Sequence, residues 1–166
     1  ARFFCRSHDL TLRREYGLTP GIGTFVNAVA QATSRQPVAM AGKPESAMYD
    51  VERDIHAQGS HKLVPVQESL PVGDRLDTDI EAANRGGYDS LCVLTGVSHA
   101  RDLLLAGPML RPTYISRDLR GLLEKHHAPV ILSDGFWHLR GWTARIIPDE
   151  RDGHAAQLVV TRDRDE

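Results

Sequence analysis

Val72-Gly73-Asp74-Arg75-Leu76-Asp77-Thr78-Asp79-Ile80, followed by Ser90-Leu91-Cys92-Val93-Leu94-Thr95-Gly96, is the stretch on which the fold reading turns. Each half ends a short apolar run at a glycine next to a polar residue, which is how a buried strand passes into a loop. Between them, Asp77 to Arg85 carries acids near its start and stops at Gly86-Gly87, the pattern of a helix. After the second strand, Ser98 stands where it caps a short helix, His99 to Leu105. Toward the amino terminus, Pro37 to Ala41 reads as another buried strand ending at Gly42. Lys43-Pro44 then opens a helix from Glu45 to Gln58, closed by Gly59. Val64 to Val72 is a strand whose start is blurred by Pro65 and Pro71. Strand, loop and helix thus recur from Pro37 to Leu105 at spacings of about 25 to 30 residues, the rhythm of βαβ units on a parallel sheet. The fold class is α/β: a Rossmann-like, three-layer parallel sheet.

The flanks are less regular. Ala1 to Cys5 suits a strand and Arg6 to Arg14 a loop, while Phe25, Val26, Val29 and Ala30 mark a helix from about Gly21 to Ser34. Beyond Gly107 the pattern weakens to a helix over Arg117 to Lys125 and short strands at Val130 to Leu132, Trp142 to Ile147 and Gln157 to Thr161. The charged end, Arg162 to Glu166, is expected to fray. Three regions are expected: 17–107 as the core, 108–166 as a small α+β extension, and 1–16, which the family resemblance given below implies is the remnant of a cap-domain end.

Composition narrows the function classes. The chain has 166 residues, 41% hydrophobic and 25% charged, enough to bury a core. Its formal net charge is -2, which speaks against a nucleic-acid binder working by phosphate neutralisation. No apolar run reaches the ~20 residues of a membrane span, and no signal peptide stands at the start. Cys5 and Cys92 form neither a disulfide framework nor a metal site by themselves, so reduced thiols and a cytoplasmic location are expected.

Ligands of open α/β sheets bind at the carboxyl ends of strands. Three polar groups fall there: Gly42-Lys43-Pro44, Gly73-Asp74 with its following helix, and Thr95-Gly96. Lys43 can neutralise a phosphate oxygen, Asp74 offers a hard oxygen suited to Mg²⁺, and Asp79 can approach either from the next turn. A lysine and two carboxylates around a magnesium ion meet what phosphoryl transfer needs, charge neutralisation and positioning. Taken singly, each residue has a plainer reading as a helix-start lysine or a helix-capping acid. Other tempting groups are plainer still. His126-His127 point apart on any regular element, Trp137 and Trp142 suit packing in the tail, and Cys5 with His8 lacks an orienting partner.

Four segments taken together, in order and spacing, resemble a known family. They are Pro20-Gly21-Ile22-Gly23, Gly42-Lys43-Pro44, Val72 to Ile80, and Val93-Leu94-Thr95-Gly96-Val97-Ser98. The resemblance is to the haloacid dehalogenase-like (HAD) phosphatases, in the subfamily that holds phosphoglycolate phosphatase, p-nitrophenyl phosphatase and nucleotide phosphatases of the NagD type. It covers residues 1 to 105 well. It implies a Mg²⁺-dependent phosphomonoester hydrolase acting on a small phosphorylated metabolite. In that reading Lys43 is the lysine that stabilises the phosphoenzyme, Asp74 the Mg²⁺ ligand and Asp79 the second acid, orienting lysine or metal-bound water. Asp77 is left as a solvent-exposed acid at the helix start.

The family's nucleophile lies in a strand-borne Asp-x-Asp-Gly near the amino terminus. This chain has only Asp77-Thr78-Asp79, already used by the resemblance, and Asp163-Arg164-Asp165 in the charged tail. The chain therefore reads as the carboxy-terminal half of a phosphatase and is expected to be inactive alone. The alternative is a non-catalytic HAD-like domain that binds a partner or a phosphate. A strand from about Gln67 to Val72 would lack the neighbour it has in the family, so association is expected, as a homodimer or with the missing amino-terminal half, in preference to cover by the chain's own tail strands around Val130 or Leu158.

Overall fold

Leu91, Cys92 and Val93 are fully or almost fully buried because they form β4 (Leu91–Val93), the middle strand of a parallel three-stranded sheet. On one side it pairs with β3 (Val72–Gly73), matching Val72 to Leu91 and Gly73 to Cys92. On the other it pairs with β5 (Tyr114–Ser116), matching Leu91 to Tyr114 and Val93 to Ser116. Under this sheet Leu76, Ile80, Cys92 and Ala106 form the core cluster, with Leu94, Leu103 and Leu110 packed against it. This computed structural model describes residues 2–60, 62–132, 135–148 and 156–162. By its contacts the chain divides into Ala1–Leu123 and Glu124–Glu166. The first unit runs past residue 107, the boundary expected from the sequence, because β5 adds a strand there.

Several expected elements changed form. The helix expected from Gly21 is α1 (Ile22–Thr33), closed by Ser34 in the left-handed region at φ 53°. The helix after Lys43-Pro44 is α2 (Ala47–Ser60) and includes Gly59 rather than stopping before it. Pro37 to Ala41 is not a strand of the parallel sheet. Val38 N–H donates to Phe3 O, and Cys5 N–H to Ala39 O, leaving a single parallel bridge from Cys5 to Met40. The strand expected from Val64 shrinks to β3, and Val66–Glu68 is a 3₁₀ turn. Pro65 and Pro71 each lack the N–H a longer strand requires, so the apolar edge expected over Gln67 to Val72 is far shorter. The presumed loop Arg6 to Arg14 contains β1 (Thr11–Arg14), which pairs antiparallel with β2 (Gly17–Pro20).

The segment before this hairpin lies in a track of glycines. A Cβ on Gly42 would run into the carbonyl oxygen of Arg6, one on Gly23 into that of His8, and one on Gly21 into that of Asp9. Hydrogen bonds close the track: Gly23 N–H to Asp9 O at 2.9 Å, Gly21 N–H to Leu10 O at 2.7 Å, and Ala41 N–H to Cys5 O at 3.1 Å. Gly21-Ile22-Gly23 is thus more than a helix start, since backbone passes where a side chain would stand.

The second unit is an antiparallel sheet among its described residues, ordered β6 (Val130–Ile131), β7 (Trp137–Leu139), β8 (Trp142–Pro148) and β9 (Ala156–Arg162). The Arg162 guanidinium lies 5.7 Å from the centre of the Trp142 ring, its cross-strand partner, so this tryptophan serves packing. The helix expected over Arg117 to Lys125 is only a 3₁₀ turn, Leu119–Leu123. The expectation of fraying over Arg162 to Glu166 concerns residues that, beyond Arg162, lie outside those described.

Gly42→Ala is expected to cost about 1–3 kcal/mol, because the clash is with backbone that no rotamer change relieves. Gly59→Ala meets nothing within 4 Å inside α2 and should be neutral or stabilising by up to about 1 kcal/mol. Urea unfolding of the two variants beside the parent checks both signs.

Candidate active site

Because β3 and β4 are parallel neighbours, their carboxyl ends lie side by side, and the residues after each strand meet. Asp74 follows β3; Gly96 and Val97 follow β4. The Val97 N–H donates to Asp74 Oδ2 at 2.7 Å, and the Ser98 N–H to the Asp74 main-chain oxygen at 3.0 Å. A Cβ on Gly96 would occupy the space of the Asp74 carboxylate, so glycine is required there. The Ser98 hydroxyl accepts from the Leu76 N–H at 3.1 Å, fixing the start of the next turn. That use displaces Ser98 from the capping role expected of it. The short helix α4 (Ala100–Leu105) is capped at His99, whose N–H donates to Asp102 Oδ2 at 2.8 Å.

The helix expected from Asp77 begins as a single π-helical turn, Leu76–Ile80, before the short α3 (Glu81–Arg85). Leu76, Thr78, Asp79 and Ile80 are all buried while Asp77 is exposed, a set wider than one stripe of an ordinary helix. The wider turn accommodates it, and such turns frequently mark functional sites. It carries the Asp79 carboxylate back over Gly73, where a Cβ would collide with it.

Asp79 is the junction of the site. Lys43 Nζ donates to its Oδ1 in a close ion pair, and the Arg75 N–H donates to its Oδ2 at 3.0 Å. The Asp79 side chain is 9% exposed and that of Lys43 31%, so the acid is anchored inside while the ammonium reaches solvent. Tyr49, on α2, donates its hydroxyl to the Asp79 carbonyl oxygen at 3.4 Å. Burial, and then the negative charge of Asp79, pushes the Tyr49 phenol up to about 12. The Cys92 thiol is likewise pushed up, by burial first and then by Asp74 and Asp79. Both carboxylates therefore act on one point of β4, which places Asp74 and Asp79 in the same neighbourhood.

Arg75 forms the rim. Its Nε and Nη2 donate to Asp77 Oδ1 at 3.0 Å and Oδ2 at 2.8 Å, a two-point fork. That hydrogen bonding raises the guanidinium further and holds the Asp77 carboxyl below its usual range. Asp77 is exposed, as expected, yet it clamps Arg75 rather than standing free in solvent. Nη1 of the same arginine reaches the Thr11 carbonyl at 3.4 Å and lies 3.9 Å from Asp9 Oδ1.

This arrangement holds a cation, Lys43, on Asp79, and leaves Asp74 Oδ1 without a donor among the described residues. It is suited to gripping a phosphoryl group through opposite charge. Among the described residues no cluster of three or more acids, histidines or cysteines could hold a metal ion.

The family follows from these observations and from direct comparison. Residues 40–122 match the HAD-hydrolase-like family, and the chain belongs to it. A D-glycerol 3-phosphate phosphatase of Mycobacterium tuberculosis is 43% identical over 131 residues, covering 79% of this chain and 35% of that relative. A 5'-nucleotidase of Bacillus subtilis is 36% identical over 114 residues, 69% of this chain and 41% of the relative. A crystal structure of a glycerol phosphate phosphatase from Mycobacterium tuberculosis in complex with magnesium aligns with a TM-score of 0.72 and 38% identity, over 98% of this chain and 44% of that one. The chain spans less than half the length of these relatives.

Sequence spacing pointed to Lys43, Asp74 and Asp79, and the structure brings Lys43 and Asp79 into contact and seats Asp74 at the adjoining strand end. It did not point to Tyr49, to the Val97 N–H or to Ser98. Ser98 at least follows directly on Thr95-Gly96-Val97, where a strand end hands over to a loop; Tyr49 carries no such signal.

The Tyr49 shift has a measurable sign. Folded, this phenol ionises near 12; unfolded, near 10. Its contribution to stability is whole below pH 10 and is lost as pH rises from 10 toward 12. Absorbance at 295 nm should show two tyrosines titrating above the usual range, Tyr49 and Tyr88, and Tyr49→Phe should remove one of them. Asp79→Asn should lower the Tyr49 pKa only in part, because burial is the larger cause.

Proposed function

We propose that this chain supplies the lysine and acids of a Mg²⁺-dependent phosphomonoester hydrolase acting on a small phosphorylated metabolite. The observation that carries this reading is the ion pair of Lys43 with Asp79, whose turn begins just after Asp74 at the end of β3, in a chain of the HAD-hydrolase-like family. Lys43, held by Asp79, sets a positive charge where phosphoryl oxygens gather negative charge. Asp79 acts through Lys43, fixing where its ammonium stands, and the Arg75 N–H and Tyr49 hold residue 79 in turn. The magnesium-bound relative supports Mg²⁺ here. Asp74 fits as one ligand: Val97 occupies its Oδ2 and no described residue donates to Oδ1, while Mg²⁺ keeps several waters and takes few carboxylates. When bound, the ion would neutralise phosphoryl charge.

The nucleophile has to come from outside the described residues. Asp77 is taken up by Arg75 and Asp79 by Lys43, and the remaining Asp-x-Asp, Asp163 to Asp165, lies outside the described residues. Because that remaining Asp-x-Asp stands in the charged tail of the sequence, our reading is that the 166-residue chain is inactive by itself; the same reading has it work in the cytoplasm and associate with a second copy or with a segment carrying the nucleophile. Phe25, Leu104 and Leu105, each at least 62% exposed, support association. No helix among the described residues is long and apolar enough to cross a membrane.

The test is assay of the pure chain with p-nitrophenyl phosphate and Mg²⁺. No turnover is expected; steady turnover abolished by Asp74→Ala would overturn the proposal that the chain is inactive alone. Calorimetry should find Mg²⁺ bound more weakly than ~100 μM, since so few protein oxygens are offered, and Asp74→Asn should remove that binding.

A further inference from the structure

The sheet of the second unit, β6 to β9, keeps its apolar residues in water. Residues directly opposite one another on paired strands share a face of the sheet. Ile131 stands opposite Trp137, Trp137 opposite Ala144, Ala144 opposite Val160, and Ile146 opposite Leu158, while Trp142 lies two residues before Ala144. One face therefore gathers Ile131, Trp137, Trp142, Ile146, Leu158 and Val160, each 42–62% exposed. On the other face the Thr143 hydroxyl and His138 Nδ1 hold each other at 3.1 Å, and His138 Nε2 is buried. The usual arrangement of a two-faced antiparallel sheet, apolar side covered and polar side wet, is thus reversed at the centre of this one.

Area and chemistry together select what covers that face. Four strands wide and up to seven residues long, it measures roughly 15–20 Å by 23 Å and offers about 500–600 Å² of accessible apolar surface. A patch of this size lies at the upper end of what a lone soluble molecule exposes. Two copies placed face to face would remove about 1,000–1,200 Å² from water, the threshold of a specific interface. Among the described residues the face carries one charge, Arg162, whose guanidinium already lies 5.7 Å from the centre of the Trp142 ring. It has no row of lysines or arginines for an anionic membrane, and no set of hydrogen-bonding groups to single out an unlike protein. A twisted sheet face does fit its own copy: two such faces pack aligned, ~10 Å apart, with side chains interleaved, and a two-fold axis closes the contact on itself. We propose that this face is the interface of a homodimer, in which the β6–β9 sheets of two copies stack as a sandwich and bury Trp137 and Trp142 of each. The inference uses other residues than the open edge of β3 and does not rest on the phosphatase reading.

The two tryptophans of the chain, Trp137 and Trp142, both stand on this face, so their fluorescence reports on it directly. The intact 166-residue chain is followed by sedimentation velocity and by acrylamide quenching of its tryptophans, from about 1 to 200 μM. A single monomer–dimer equilibrium is expected, with a midpoint on the order of 10 μM because the interface is small, and quenching should fall as the dimer forms. Ile146→Lys should weaken the dimer about 10-fold or more, since a charge would be buried at the contact. Ile147→Lys, on the opposite face of the same strand, should leave it unchanged. Far-UV circular dichroism checks that each variant keeps the sheet; if Ile146→Lys does not fold, Val160→Lys takes its place, and quenching of the parent chain needs no variant. A monomer throughout the range overturns the proposal, as does an open series of oligomers. A dimer whose tryptophans quench no less than those of the monomer, or one that Ile147→Lys weakens as much as Ile146→Lys, puts the contact elsewhere and also overturns it.

Discussion

The carboxylate of Asp79 carries more of this structure than any other group. One oxygen holds Lys43 and the other the Arg75 N–H, while its backbone carbonyl takes the Tyr49 hydroxyl. A buried carboxylate left without its cation would cost several kcal/mol, so Asp79 and Lys43 are bound to one another: removing Lys43 strands a charge. The π-helical turn exists to deliver that side chain, and Gly73 exists to leave room for it. Lys43 then reaches solvent from a fixed base, which is what a cation meant for a mobile anion requires.

Around this junction, close approach is managed by glycine. Gly96 makes space for the Asp74 carboxylate, and Gly21, Gly23 and Gly42 make space for the backbone of residues 6 to 9. At these positions the constraint is steric: a methyl group would stand where a carbonyl or a carboxylate already stands. The two roles are linked through Arg75, which touches the π turn through Asp77 and the amino-terminal segment through Thr11. A displacement in the track would thus be felt at the rim of the site.

The comparisons give this local picture its setting. This chain is similar to relatives that include a D-glycerol 3-phosphate phosphatase and a 5'-nucleotidase, and it spans less than half of either.

Much of the site could be read in advance. Lys43 and Asp74 each follow a glycine that closes an apolar run, and Asp79 falls one turn beyond Asp74, a local signal that survives without coordinates. The buried strand at Leu91 to Val93 and the helix ending at Ser34 were legible for the same reason, since apolar period and glycine punctuation act over a few residues. What tertiary structure alone decided was pairing and distance. Nothing local says that Pro37 to Ala41 pairs with Phe3 to Cys5 and leaves its place beside β4 to Tyr114–Ser116. Nothing local says that Tyr49 reaches the carbonyl of residue 79, or that Ser98 leaves its helix to hold Leu76. The sequence by itself determined which residues carry charge at strand ends. Only packing decided which backbone each side chain would meet, because a hydrogen bond between residues 30 positions apart depends on how the elements between them stack.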